Sequence, residues 1–395
     1  MSKVFYFFIL TSVSNGNIDS TNPICSFTQE FITSESLKQF PKECETVFGN
    51  IQIDENCDVS EKQLTSAFKN MKVLYGNLNV YRTNFTSGKF LEGLEEIECD
   101  KDGFFSWERN EYMIEIGMKN LTRCCCQFNV NENKKLISMN LPNLKNFSSM
   151  DASQMKQIEM LVYDNSPEGC IDIEELSHFI ANDNLFMSVL PANFCAHTTD
   201  AINGEKTCVF ESFNITNMEP DCVRIVGQVR IDSGDEEHVH KLNLLKFIYG
   251  TLNIENTNLT TVDFLNELEY IVTLESVVVS ITVRNNLQLS NFSLPKLKGV
   301  RSSDTLQQGY VQRWISFYDN HESLKKWLVN NSICNPYMDI LNETVLYRAE
   351  IDKKSCDKTR DIIVNEEVHL EKNVEEWSGK FAILTFLTIP FLFKI

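Results

Sequence analysis

Apolar residues in this chain fall in short alternating pairs set off by glycines and turns. In the first half the pairs are Ile51/Ile53, Leu78/Val80, Met113/Ile114/Ile116 and Leu136/Ile137. In the second half they are Val229/Ile231, Leu252/Ile254, Val277 to Val283 and Leu287/Leu289. Period-2 alternation over so few positions predicts strands of roughly three to five residues. Between the second and third pairs of each half stand "FLEGLEEI" and "FLNELEYI", in which Phe, Leu, Leu and Ile recur as one set. Strand, turn, short apolar segment and next strand at a loose interval is the pattern of a solenoid, whose coils bury their faces only against their neighbours. Gly before a strand lets the backbone turn a tight corner, and Asn77, Asn79 and Asn253 beside those glycines suit turn positions.

The two halves repeat one another. "GNLNVYRTNFTSGKFLEGLEEI" from Gly76 matches "GTLNIENTNLTTVDFLNELEYI" from Gly250, including an N-x-T sequon at the same place. Upstream, "CETVFGNIQI" from Cys44 matches "CVRIVGQVRI" from Cys222, and downstream "LPNLKNF" from Leu141 resembles "LPKLKGV" from Leu294. As a set, these motifs resemble the L domains of the insulin-receptor and epidermal-growth-factor-receptor ectodomains, over about two thirds of the chain. The nearest likeness is to nematode secreted or surface-tethered proteins that carry two L domains and no kinase. The resemblance implies a mainly β fold of two tandem single-stranded right-handed β-helices, leucine-rich-repeat-like, disulfide-bonded and with short helices. It also implies a binding role without catalysis. The organisation expected is a signal peptide over 1–18, L domain 1 over 22–150 and a cysteine-containing linker over 151–207. L domain 2 follows over 208–340, then a polar stalk over 341–377 and a hydrophobic tail over 378–395.

Composition places the chain outside the cytosol. The first residues, "MSKVFYFFILTSVSNGN", hold one Lys, an apolar run and then small polar residues, as a signal peptide does. Eight sequons follow, at Asn84, Asn120, Asn146, Asn214, Asn258, Asn291, Asn330 and Asn342, and predict a glycoprotein. Thirteen cysteines in such a chain predict a disulfide framework with one residue left over. Cys25 with Cys44, and Cys208 with Cys222, would each close a short loop just before a repeat. A formal charge of −19 argues against nucleic acid as a partner, because phosphate binding needs clustered Lys and Arg. The terminal run "FAILTFLTIPFLF" reaches only about 20 Å as a helix, which suits a lipid-anchor signal better than a spanning helix.

Catalytic chemistry is poorly supported. Asp100/Asp102 and Asp232/Asp235/Glu236/Glu237 are acidic clusters without a calcium-loop spacing. His238 and His240 would share one face if extended, which is half of a metal site. "CCC" at Cys124 to Cys126 reads as disulfide chemistry, and no cofactor is called for. The better lead is "FFSWERNEYMIEI", because binding hot spots favour Trp, Tyr and Arg. Phe104, Phe105, Trp107, Arg109 and Tyr112 are the candidate ligand contacts, with the alternative that part of the stretch fills the β-helix interior. The expected partner is a protein or peptide, insulin-like or growth-factor-like, or a related receptor. A structural or adhesive role and polysaccharide binding are the rival readings. Phosphatidylinositol-specific phospholipase C is expected to release the protein from intact cells; retention would count against the lipid anchor and leave a short or tilted membrane helix or a merely sticky tail.

Overall fold

The computed structural model describes residues 25–100, 103–149, 158–182, 184–189, 193–195, 201–202, 204–210, 215–274, 279–302, 315–330, 349–352 and 354–355. The expected signal peptide, most of the expected stalk, the hydrophobic tail, and the sequons at Asn214 and Asn342 lie outside those residues. The first half runs β1 Thr46–Phe48, β2 Ile51–Ile53, α1 Glu61–Phe68, β3 Val73–Tyr75, β4 Leu78–Tyr81, β5 Glu96–Glu98, β6 Phe104–Glu108, β7 Arg123–Cys125 and β8 Gln127–Asn131. It continues through β9 Ile158–Tyr163, β10 Cys170–Ile171, α2 Ile173–Ile180, β11 Leu185–Val189 and β12 Asn193–Phe194. The second half runs β13 Ala201–Ile202, β14 Glu205–Phe210, β15 Arg224–Gly227, β16 Val229–Ile231, β17 Phe247–Tyr249, β18 Leu252–Glu255, β19 Tyr270–Thr273 and β20 Ile281–Arg284. It ends with β21 Gly299–Ser302, β22 Ile315–Tyr318, α3 Glu322–Asn330, β23 Ala349–Ile351 and β24 Lys354–Ser355.

Each half is a stack of coils in which every coil contributes one strand to each of two largely parallel sheets. In the first half the sheets are β1-β3-β5-β7 and β11-β9-β8-β6-β4-β2; in the second they are β13-β14-β15-β17-β19-β21 and β16-β18-β20-β22-β23-β24. These are two β-helices, mainly β, with few short helices. Between paired strands such as β1 and β2 the chain turns on a glycine. Gly49, Gly76, Gly227 and Gly250 have φ between 124° and 150° and stack on one another. A Cβ on Gly76 would lie 2.2 Å from the Gly49 carbonyl oxygen, so no side chain fits this corner.

The opposite corner is held by asparagine. Asn110 Oδ1 accepts from the Thr83 backbone N–H at 3.0 Å and from its hydroxyl, while Asn110 Nδ2 donates to the Val80 carbonyl. Asn133 does the same one coil later: it accepts from Asn110 N–H and donates to the Trp107 carbonyl. Asn165 follows, accepting from Asn133 N–H and donating to the Val130 carbonyl. In the second half, Asn286 and Asn320 repeat the pattern on Thr257, Ile254 and Val283. Just before each of these residues stands a left-handed one: Arg82, Arg109, Glu132 and Asp164, then Asn256, Asn285 and Asp319. Asn79 and Asn253, expected at corners, instead occupy mid-strand positions in the ladder.

The interior is filled as the pattern predicts at the Phe-Leu segments. Phe90, Leu91, Leu94 and Ile97 are buried, as are Phe264, Leu265, Leu268 and Ile271. Two expected strands of the first half and one of the second are displaced, whereas the expected Val277 to Val283 strand overlaps β20. Met113 to Ile116, Leu136/Ile137 and Leu287/Leu289 are not strands; they lie on the third side of the coil, joined in the first half by single bridges such as Ser87 to Glu115 and Glu115 to Ser138. Alternation arises there because a corner also points one side chain in and the next out: Met113 and Leu136 are buried whereas Ile114 and Ile137 are exposed. The third and fourth strands are Phe104–Glu108 and Gln127–Asn131 instead.

Among the described residues four disulfides staple the coils: Cys25–Cys44, Cys99–Cys126, Cys170–Cys195 and Cys208–Cys222. The segment expected as a linker supplies β9 and β11, which continue the first six-stranded sheet past residue 150, and α2, which packs into the first core. Similarly β23 extends the second sheet into residues expected to begin the stalk. The physical reason is shared: a parallel stack left at its last coil would expose an apolar interior, and the extra strand with its helix closes it.

Within α2, Glu175 is buried, and its carboxylate accepts from the Leu141 backbone N–H at 2.8 Å. Burial pushes its pKa up to about 7, with Asp172 adding to the shift and the Leu141 bond opposing it. An acid with a raised folded-state pKa favours the folded state fully below its unfolded value, near 4.5, and loses that advantage as pH rises through about 7. Thermal scans should therefore show stability falling between pH 4.5 and about 7, by on the order of 3 kcal/mol at most. Glu175→Gln keeps the acceptor and should remove that slope; an unchanged slope would place the titration elsewhere. Asn133→Ala should cost at least about 2 kcal/mol in denaturant unfolding, because it strands corner N–H and C=O groups away from water.

Candidate ligand-binding face

Sequence reasoning gathered Phe104, Phe105, Trp107, Arg109 and Tyr112 into one stretch, and the coil separates them. β6 alternates, so Phe105 and Trp107 point inward and are fully buried. Phe105 stacks on Phe128 with ring centroids 4.6 Å apart, and Trp107 packs near Phe90 and over Gly88, where a Cβ would meet the indole at 2.4 Å. These two are core residues and cannot meet a ligand. Phe104 lies outward at the start of β6 and Arg109 just past its end, at opposite ends of a five-residue strand. Tyr112 stands on the third side of the coil, beside exposed Ile114 and with Lys135 Nζ 4.7 Å from its ring centre.

Phe104 and Arg109 belong to the outer face of the first six-stranded sheet. Strand register sets that face in rows. One row runs Gln52, Asn79, Ser106, Asn129 and Leu161; the next runs Tyr81, Glu108, Asn131 and Tyr163. Tyr81 and Tyr163 thus flank a floor of Glu108 and Asn131, with neighbouring strands about 4.8 Å apart. The left-handed corner residues form the rim. Arg109 grips Glu132 through one guanidinium edge, Nη2 at 2.9 Å and Nε at 3.1 Å, and its Nη1 donates to the Tyr81 hydroxyl at 3.1 Å. Arg82 also lies over the Tyr81 ring, 4.8 Å from its centre.

The electrostatics of the rim follow from these bonds. The Glu132 carboxylate, then the Tyr81 hydroxyl, raise the Arg109 pKa further above its ordinary value, and Arg109 in turn lowers that of Glu132. The Tyr163 phenol is pushed up, first by burial and then by Glu108. Both rim charges stay ionised at any physiological pH. Tyr81 is therefore held in place by a hydrogen bond and two cations, a rigid aromatic of the kind that anchors interfaces.

None of the sequons among the described residues lies on a strand of this face. Asn84 is exposed at the corner beyond Arg82, while Asn120 and Asn146 are exposed near β7, on the four-stranded side. In the second half, Asn258 is exposed at the corner equivalent to Asn84, and Asn291 is half-buried. Asn330 lies in α3. The matching second-half face is self-satisfied: Arg230 pairs with Asp232 and Glu255, Arg284 lies over Tyr318, and Ser316 donates to Glu350.

The acidic and histidine clusters hold no metal arrangement among the described residues. Asp232 accepts from Ser233 N–H, from Arg230 and, from the next coil, from Asn256 Nδ2. His238 and His240 lie on a short helix over Glu236–Leu242, not on an extended strand, so a two-residue spacing no longer puts both rings on one face. Asp102 lies outside the described residues. Cys126 of the Cys triplet is in a disulfide, and Cys124 and Cys125 are buried.

The receptor L domain family model matches residues 43–138 and 221–324, together just over half of the 395 residues, and the chain belongs to that family. No curated protein matches the chain. Receptor L domains are non-catalytic domains of receptor ectodomains that bind protein ligands, and their disulfide-rich construction places the protein outside the cell.

Arg109 supplies a test of the rim's independence from the fold. Its left-handed φ of 56° favours glycine over any residue with a Cβ. Arg109→Gly should leave the melting temperature within a few degrees of the parent while freeing Tyr81, readable as faster ring motion in nuclear magnetic resonance. Trp107→Ala should instead destabilise by about 3–5 kcal/mol.

Proposed function

We propose that this protein is a secreted or surface-held glycoprotein that captures a protein or peptide ligand, insulin-like or growth-factor-like, on the outer face of its first L domain. The same face could receive a related receptor. The observation that carries this reading is the sequon-free row of Tyr81, Glu108, Asn131 and Tyr163, with Phe104 beside it and Arg109 fixing Tyr81. Rigid aromatics above amides and a carboxylate offer apolar contact with few rotamers to freeze, and Arg109 and Glu132 provide a polar rim. Glu108 and Glu159 give the face an acidic floor, which suits a ligand with basic side chains. The protein then acts by binding alone, as a decoy or a co-receptor, and a lipid anchor at the hydrophobic tail would hold it on the cell surface.

The test is surface plasmon resonance with the glycosylated ectodomain, residues 19–377, against insulin-like and growth-factor-like peptides. Saturable binding below about 1 μM is expected, near −8 kcal/mol. Tyr81→Ala should weaken it about tenfold or more, as loss of a central aromatic does, and Tyr163→Ala should weaken it as well. Binding that ignores both substitutions would remove this face as the site. Retention of glycans on an array, with no peptide affinity, would favour the polysaccharide reading.

A further inference from the structure

The rim of the first domain's six-stranded face already shows how this surface holds a guanidinium. Arg109 gives Nη2 and Nε to the Glu132 carboxylate and Nη1 to the Tyr81 hydroxyl, and its charge lies 5.9 Å from the Tyr81 ring centre. A carboxylate and a tyrosine together make the seat. The row that begins at Tyr81 carries a second carboxylate and a second tyrosine, Glu108 and Tyr163, with Asn131 between them.

This second pair has no guanidinium. One Glu108 oxygen accepts from the Ser106 hydroxyl, and the other meets no donor among the described residues. The nearby cations are engaged elsewhere: Arg109 by Glu132, Arg82 by Glu55 at 3.9 Å, and Lys134 by the Asp164 carbonyl. Tyr163 is exposed, and among the described residues no cation lies over its ring, whereas Tyr81 has two. Asn131 adds an independent sign. β8 turns Phe128 and Val130 into the core, so Asn131 faces outward, yet it is only 4% exposed. Its side-chain amide makes no hydrogen bond among the described residues, although an amide so enclosed is ordinarily bonded.

We propose that Glu108, Asn131 and Tyr163 form the seat for an arginine side chain of the captured protein. Its guanidinium donates to the free Glu108 oxygen and to Asn131 Oδ1, and the Tyr163 ring flanks it. Arginine is chosen over lysine by shape. Glu108 and Asn131 are directly opposed on neighbouring strands, about 4.8 Å apart along the ladder. The diverging N–H groups of a guanidinium span such a gap, and a guanidinium also stacks on an aromatic ring, whereas an ammonium is a compact point charge. The inference rests on the reading of this face as the ligand-binding one and adds what the ligand must present to it.

Nuclear magnetic resonance of the full-length glycoprotein in mild detergent, with ring-labelled tyrosine, tests this; Tyr163→Phe assigns the Tyr163 signals. The probes are the N-acetyl amides of arginine, lysine and citrulline, the last keeping the shape of arginine without its charge. Arginine amide should shift the Tyr163 signals saturably, binding at least about fivefold more tightly than either of the others. Glu108→Gln keeps an acceptor for Ser106 and should weaken arginine amide about tenfold. Asn131→Asp should tighten it, because a second carboxylate then faces the cation; a merely structural asparagine would not respond in that direction. Equal binding of arginine and citrulline amides overturns the proposal, as does an affinity unchanged by Glu108→Gln or weakened by Asn131→Asp. Peptide capture that is lost with Tyr81→Ala, beside no preference for arginine amide, overturns the arginine seat and leaves ligand capture standing. Preference for arginine amide without capture of any insulin-like or growth-factor-like peptide supports the seat and removes that class of ligand.

Discussion

The amide of a corner asparagine, accepting from one backbone N–H and donating to one backbone C=O of the coil before it, is the interaction on which this fold rests. A β-helix must turn its chain at every corner, and each turn takes backbone N–H and C=O groups out of the strand ladder. Buried without partners they would each cost on the order of 1–3 kcal/mol. Asn110, Asn133 and Asn165 absorb that cost in the first domain, and Asn286 and Asn320 in the second, each by one acceptor and one donor from a single side chain. The series begins at Thr83 and Thr257, whose hydroxyls donate to the side-chain carbonyl oxygens of Asn110 and Asn286.

With the corners fixed, the division of labour between faces follows. Inward strand positions take Phe105, Trp107, Phe128 and Val130, and the interior closes around rings. Outward positions are released from packing and can be polar, aromatic or charged according to what meets them. The second domain uses one of its outward faces to join the first and neutralises the other with its own ion pairs. The first domain sets Tyr81 and Tyr163 on the outer face of its six-stranded sheet, on either side of Glu108 and Asn131.

Most of the architecture was legible because the repeat was. The glycines, the Phe-Leu plugs and the matched cysteines all recur at fixed offsets, and their physical roles admit few alternatives. The third and fourth strands of the first half were misplaced because alternation does not distinguish a ladder strand from a bridged corner such as Met113 to Ile116. Phe105 and Trp107 were misread for a related cause: aromatic composition says hot spot, while period 2 says that every second one is interior. The better signal lay next to them. Arg109-Asn110, Glu132-Asn133, Asp164-Asn165, Asn285-Asn286 and Asp319-Asn320 form a series that dates every corner, and counting back from it puts Tyr81, Glu108 and Tyr163 outward. Closure of the inter-domain face by α2 had no such signal, since it depends on how two finished domains meet.

The left-handed residues that precede those asparagines carry one more consequence. Arg82, Arg109, Glu132 and Asp164 share a backbone shape yet have nothing else in common. Their side chains leave the coil at the rim of the face, and the amide behind each one secures the turn whatever it is. Inheritance can therefore rewrite the rim letter by letter, exchanging cation for anion or long for short, while the scaffold beneath stays the same. A lineage that holds such a spine can diversify what it recognises without first having to solve folding again.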